Sequence, residues 1–218
     1  MPTLKAAILP VTPFQQNCSI VLDPASKSGV VVDPGGDVAR ILSAIEEVGA
    51  RIETILLTHG HIDHAGGAAE LAERLSTAER RVPVVGPHKA DKFLLDSLPQ
   101  SGREYGMADA RIVTPDRWLE EGDTVEIGGV PFDVYHCPGH SPGSVVMVNV
   151  GQGFALVGDV LFRGSIGRTD FAYGDHEALI RSITGKLLPL GDRIAFICGH
   201  GPMSTFGQER QTNPFLTA

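Results

Sequence analysis

The sequence predicts an α/β fold of four layers, αββα, in which two mixed β-sheets pack face to face with helices on the outside. Three observations point there. Short apolar runs and helical stretches recur in two similar blocks along the 218 residues, and each block reads as a sheet covered on one side by helices. The histidines and acids suited to binding metal stand directly after strand-like runs. A chain of this length buries roughly 70–75% of its unfolded surface, so residues 1–218 are expected to form one domain.

In the first block, residues 4–9, 18–22 and 30–32 are apolar runs separated by turn signals such as Asp23-Pro24 and Asp33-Pro34-Gly35-Gly36, the spacing of a meander. Asp37 is a candidate N-cap for a helix whose apolar face is Val38, Ile41, Leu42, Ile45 and Val48, closed by Gly49. Residues 54–57 form a strand running into Thr58-His59-Gly60-His61-Ile62-Asp63-His64, and residues 65–75 read as one helix. A strand at 82–85, a helix at 89–98 and an irregular Gly- and Arg-containing stretch at 101–117 follow. That stretch is a candidate for part of a substrate wall or lid. The second block has strands at 124–127, 132–136, 144–149 and 154–157, a helix at 176–188 and a strand at 194–197.

Bulk properties remove several classes. With 42% hydrophobic and 20% charged residues, no segment reads as disordered or repetitive. A net charge of −8 offers no basic stripe for nucleic acid. Cys18, Cys137 and Cys198 are too few for a disulfide framework, and Cys137 and Cys198, near two of the candidate ligands, read as packed thiols. The apolar run at the N-terminus is broken by Pro10, and no stretch approaches the ~20 residues of a membrane helix. A cytoplasmic protein acting on a small molecule, with no nucleic-acid or membrane partner, is expected; the oligomeric state is left open.

His59, His61, Asp63, His64, His140, Asp159 and His200 all lie just after predicted strands. If the strands are aligned in two packed sheets, their ends bring these donors to one edge. Neutral imidazole and carboxylate suit zinc, and also iron or manganese, by ligand type. In an irregular His-x-His-x-Asp-His loop the backbone can send the first two histidines to one ion and Asp63 with His64 to another, unlike a helical pair that serves a single ion. Asp159 is the acid that stands directly after an apolar strand and a glycine, where a shared carboxylate would join two ions. A chance scatter of histidines explains any one of these residues but not the set. His88, His136 and His176 are left out of the ligands.

The stretch 58–64, Pro138-Gly139-His140-Ser141-Pro142-Gly143, Gly158-Asp159 and Gly199-His200-Gly201-Pro202 together resemble the metallo-β-lactamase superfamily, in its order and over most of the chain. The resemblance implies one ion on His59, His61 and His140, a second on Asp63, His64 and His200, and Asp159 bridging them. Aspartate replaces the cysteine of the lactam-hydrolysing branch, and His61 replaces the glutamate of the oxygen-reducing diiron branch. Residues 164–171 and 207–216 look like short bacterial glyoxalase II-type proteins. This implies hydrolysis of a thioester such as S-lactoylglutathione by a hydroxide bridging two divalent ions, zinc before iron or manganese, with Asp63 orienting it. Arg168 matches a thiol-substrate contact of the family. Asp33 matches an acid that orients a ligand histidine, and reads equally as a turn-forming Asp-Pro.

Full-length glyoxalase II enzymes carry a helical, basic extension that grips glutathione, whereas this chain stops 18 residues after His200. No such extension is expected, which leaves the thiol portion open. Residues 167–171 also resemble the mononuclear iron persulfide dioxygenases, the alternative enzyme; a non-catalytic metal-binding protein is the alternative of another class, and a nuclease is disfavoured by charge.

Overall fold

The computed structural model describes residues 3–217; residues 1, 2 and 218 of the expected domain lie outside the described residues. β1 (Lys5–Val11), β2 (Gln16–Leu22) and β3 (Ser28–Val32) form the antiparallel meander. After α1 (Val38–Val48), β4 (Arg51–Leu56) joins parallel to β3. α2 (Ile62–Ala65) and α3 (Ala68–Leu75) lead to β5 (Val84–Val85), parallel to β4, and then to α4 (Lys92–Tyr105).

The second sheet grows from β6 (Thr124–Ile127), β7 (Val130–His136), β8 (Val145–Asn149) and β9 (Phe154–Gly158), all antiparallel. A hairpin of β10 (Leu161–Phe162) and β11 (Ser165–Ile166) follows, then α5 (His176–Ser182), β12 (Ala195–Cys198) parallel to β9, β13 (Ser204–Thr205) and α6 (Phe206–Thr212). The sheets run β1-β2-β3-β4-β5 and β13-β12-β9-β8-β7-β6.

Three apolar cores define the four layers, and alternation along the strands divides residues between them. Ile20, Leu22, Val31 and Ile55 face Val38, Ile41, Ala68 and Leu71 of the first helical layer. Their neighbours Val21, Val30, Val32 and Leu56 turn inward to meet Phe132, Val134, Val145, Met147 and Leu156 of the other sheet. Val146, Val148, Ala155 and Val157 point outward again to Leu179, Ile183 and Phe206. The expected αββα sandwich of two mixed sheets is thus present. Among the described residues no helix is long and apolar enough to cross a membrane.

Local departures have local causes. The helix expected over 65–75 is two, because the chain turns at Gly66-Gly67, where a Cβ on Gly67 would lie 2.6 Å from Pro34 O. Asp37 does not cap α1 with its side chain; it adopts a left-handed conformation and accepts from Thr12 N at 2.9 Å. The helix expected to end near residue 98 continues through Pro99 to Tyr105 and takes in the start of the supposedly irregular stretch. The hairpin β10–β11 and α6 carried no periodic signal. They are joined by Glu209, which accepts from Gly164 N at 2.7 Å and Asn213 Nδ2 at 2.9 Å.

Candidate metal centre

Parallel neighbours end at the same edge of a sheet, and this geometry assembles the site. Val32 of β3 pairs with Leu56 of β4, so Asp33 emerges beside Leu57-Thr58-His59. Gly158 of β9 pairs with Cys198 of β12, so Asp159 emerges beside Gly199-His200. The loop joining β7 to β8 delivers His140 at that end. The two sheets are sewn together there by Val145 N donating to Thr58 O at 2.8 Å and Asn17 N to Gly199 O at 2.7 Å. A Cβ on Gly199 would stand 2.0 Å from Asp159 Oδ1 and 2.5 Å from His64 Cε1, so the close approach of these side chains requires glycine.

All seven expected donors meet. His61 Nδ1 lies 3.1 Å from His59 Nε2 and 3.0 Å from His140 Nε2. Beside this trio, Asp63 Oδ2 is 3.2 Å from His200 Nε2 and 3.8 Å from His64 Nε2. Asp159 spans the two groups, with Oδ1 3.3 Å from His64 Nε2 and Oδ2 3.6 Å from both His140 Nε2 and His200 Nε2. His88, His136 and His176 lie outside these groups: His88 and His136 stack with centroids 4.0 Å apart, and His176 begins α5.

The outer nitrogen of most of these rings is occupied, which fixes the tautomer and turns a lone pair inward. His64 Nδ1 is 2.9 Å from Asp33 Oδ2. The same carboxylate accepts from Thr58 Oγ1 at 2.6 Å and, through Oδ1, from Thr58 N at 2.8 Å. Its single proton given to Asp33, the Thr58 hydroxyl accepts from His59 Nδ1 at 3.1 Å. His140 Nδ1 donates to Arg168 O at 2.9 Å. Asp33 is buried and also forms the expected turn, its carbonyl accepting from Gly35 N at 2.9 Å while its carboxylate meets His64 and Thr58.

Electrostatics separate the groups. Burial, then the surrounding histidines, pushes His59 well below the ordinary imidazole value. Burial and then His140 push His61 down to about 3. Burial also opposes charge on His64, but Asp159, Asp63 and Asp33 outweigh it and hold the ring well above the usual range. Burial raises the Asp159 carboxyl, and His64, His140 and His200 more than reverse this, keeping it ionised.

With His61 Nδ1 3.1 Å from His59 Nε2 and 3.0 Å from His140 Nε2, the three imidazole lone pairs repel one another unless a cation or proton sits among them. Next to them, the buried atoms His64 Nε2 and Asp159 Oδ1 have no hydrogen-bond partner among the described residues. Such orphaned donor atoms are expensive to bury and are what a metal ion would satisfy. Imidazole and carboxylate in this ratio fit divalent ions.

A cleft of about 640 Å³ opens over the donors, walled by Phe14, Tyr105, Phe162, Phe171, Tyr173 and the exposed Arg168. The Arg168 guanidinium pairs with Asp170 at 3.0 Å and lies 4.6 Å over the Phe171 ring. Ser101, Glu104 and Tyr105 at the end of α4 reach this wall, whereas Asp116 and Arg117 bind the β5 edge. Two residues escaped the sequence reading. Asp91, buried at the start of α4, accepts from Gly60 N at 2.8 Å, Ser141 Oγ at 2.7 Å and Gly143 N at 2.5 Å, and so buckles the His59–His61 loop to the His140 loop. An acid there looks like an ordinary helix cap. Tyr173 Oη lies 2.8 Å from His61 Nε2, and only its place two residues past Phe171 hinted at the site.

Fold and donor set are those of the metallo-hydrolase class, and the chain belongs to the metallo-β-lactamase superfamily, which residues 11–200 match. The fold and its His/Asp clusters imply divalent metal ions. Among relatives, the chain is 44% identical to the hydroxyacylglutathione hydrolase GloC of Haemophilus influenzae, over 97% of each chain. It is 35% identical to the probable metallo-hydrolase YqgX of Bacillus subtilis over 95% of each. Of solved structures, BLEG-1 B3 metallo-β-lactamase superposes with a TM-score of 0.88 at 36% identity, over 98% of this chain and 100% of that one. TTHA1623, in a di-iron-bound form, gives 0.82 at 36%, over 96% and 100%.

Proposed function

We propose that this protein is a two-metal thioester hydrolase acting on a small-molecule substrate such as S-lactoylglutathione, with residues 1–218 as a single domain. The observation that carries the reading is the pair of donor groups joined by one carboxylate: His59, His61 and His140 for one ion, Asp63, His64 and His200 for the other, Asp159 for both. The substrate class is supported by the relative named as a hydroxyacylglutathione hydrolase, at 44% identity over nearly the full chain. Zinc is the proposed metal on ligand type, with iron or manganese as substitutes; a di-iron form of one similar structure keeps iron within reach.

When bound, the ion pair supplies Lewis acidity toward a carbonyl and makes water at the site acidic near neutral pH. The chain's own residues do the rest. Burial raises the Asp63 carboxyl, but His64 and His200 outweigh it and keep the group ionised, and in that form it orients the attacking water by accepting a hydrogen bond from it. The aromatic wall excludes bulk water and packs against the substrate, while Arg168 at the rim meets an anionic portion of it. A thiolate leaves readily, so the reaction needs no strong acid at the leaving group. Cytoplasmic location belongs to the same proposal and is supported by three free, buried thiols.

The test is elemental analysis coupled to a panel of thioesters, with and without oxygen. Two ions per chain and oxygen-independent thiol release are expected. One iron per chain with oxygen consumed on a persulfide would overturn the hydrolase in favour of a dioxygenase, and two bound ions without turnover of any thioester would leave only a metal-binding protein.

A further inference from the structure

We propose that Tyr173 is a positioning residue for His61, fixing the ring so that Nδ1 faces the other imidazoles. This rests on the reading of His61 as a metal ligand. Its Nδ1 points at His59 Nε2 and His140 Nε2, so a cation among them requires the ring proton on Nε2. That nitrogen lies 2.8 Å from Tyr173 Oη, and the phenol oxygen accepts its hydrogen.

His61 needs this support more than the other ligands do. It precedes α2 in an extended conformation, in the irregular stretch after β4, and among the described residues the aromatic rings that meet it outside the donor group are Phe171 at 5.0 Å and Tyr173. Tyr173 is itself well fixed. Its ring stacks on Phe171, with centroids 5.2 Å apart and planes 13° apart, and meets the edge of Phe93 at 5.2 Å. The turn carrying it is closed by Gly174 N to Phe171 O at 2.9 Å and by Asp175 N to Gly139 O at 2.8 Å, next to His140. A side chain at Gly174 would collide with Thr169 O, 2.4 Å from its Cβ. One short segment therefore sets two ligands, His140 through Arg168 O and His61 through Tyr173 Oη.

Tyr173→Phe removes one oxygen and keeps both ring contacts, which separates positioning from packing. The experiment titrates zinc into metal-free wild type, Tyr173→Phe and Tyr173→Ala against a competing chelator, and records the melting temperature of each metal-free protein. In Tyr173→Phe one of the two binding steps should weaken by about 10–100-fold, the usual effect of losing an outer hydrogen bond on a ligand histidine, with melting unchanged. Tyr173→Ala should weaken the same step and melt lower. Two unchanged steps in Tyr173→Phe, or weakening confined to Tyr173→Ala, would overturn the proposal. Wild type that takes up none of zinc, iron or manganese, each titrated in the same way, overturns the metal reading and this one with it, a failure visible before any substitution is made.

Discussion

His64 and His59 are held from within the sheets, His61 and His140 from outside them. The first two depend on Asp33 and Thr58, buried residues at the ends of adjoining parallel strands, where register alone brings them together. The second two depend on residues 168–173, a segment without strand or helix whose Arg168 and Asp170 side chains are 68% and 73% exposed. The division cuts through the first donor group: His59 is anchored in the core, whereas His61 and His140, which complete that group, are held from the outer segment. A defect in the strand-end support should damage folding and metal binding together, whereas loss of a single hydrogen bond from the outer segment, with its ring packing kept, should alter metal binding alone.

Asp159 belongs to both groups and is the severest challenge to that division. Asp159→Ala removes the carboxylate between His64, His140 and His200. Bound metal should fall below two ions per chain and turnover by at least about 100-fold, taking the effect of lost outer partners as the floor. Elemental analysis checks this, and a variant still holding two ions would remove the bridging role.

Asp33→Asn tests the strand-end half. The amide keeps the shape but cannot accept from Thr58 N, Thr58 Oγ1 and His64 Nδ1 at once, so a buried donor loses its partner at a cost of about 1–3 kcal/mol. The metal-free protein should melt lower by a few degrees, and one zinc step should weaken about 10–100-fold. Calorimetry and chelator competition read the two effects separately; weaker zinc binding at unchanged melting temperature would erase the contrast with Tyr173→Phe.

The same contrast explains what was legible in the sequence. Donors after strands are visible in one dimension, because an apolar run ending in Thr58-His59 or Gly158-Asp159 announces both the strand and what it delivers. The three cores follow from alternation in runs such as Val30-Val31-Val32. Asp91 and Tyr173 were illegible for the opposite reason. Each acts across the chain, Asp91 on residues 31 and 52 positions away and Tyr173 on one 112 positions away, and neither sits in a periodic pattern. Short irregular elements such as β10 and β11 are likewise fixed by distant partners, here Glu209 and Asn213.

Asp91 joins the two halves and gives the smallest expected effect, one that depends on pH. Burial raises its carboxyl above the ordinary value of 3.8, and the hydrogen bonds from Ser141, Gly60 and Gly143 only partly offset this. The folded state therefore holds the proton more tightly than the unfolded chain. Between 3.8 and the raised value the folded protein binds more protons, so the stability contributed at this site falls as pH rises through that window and levels off above it. Asp91→Asn has no such titration, and every other group cancels in the difference between the two metal-free proteins. Wild type should therefore lose stability relative to Asp91→Asn as pH climbs out of the acid range, by about 1.4 kcal/mol for each unit by which the carboxyl is raised. Denaturant unfolding at a series of pH values measures that difference. A difference that grows with pH would mean that the three donors outweigh burial, and that Asp91 is a stabilising anion at the junction of the two loops.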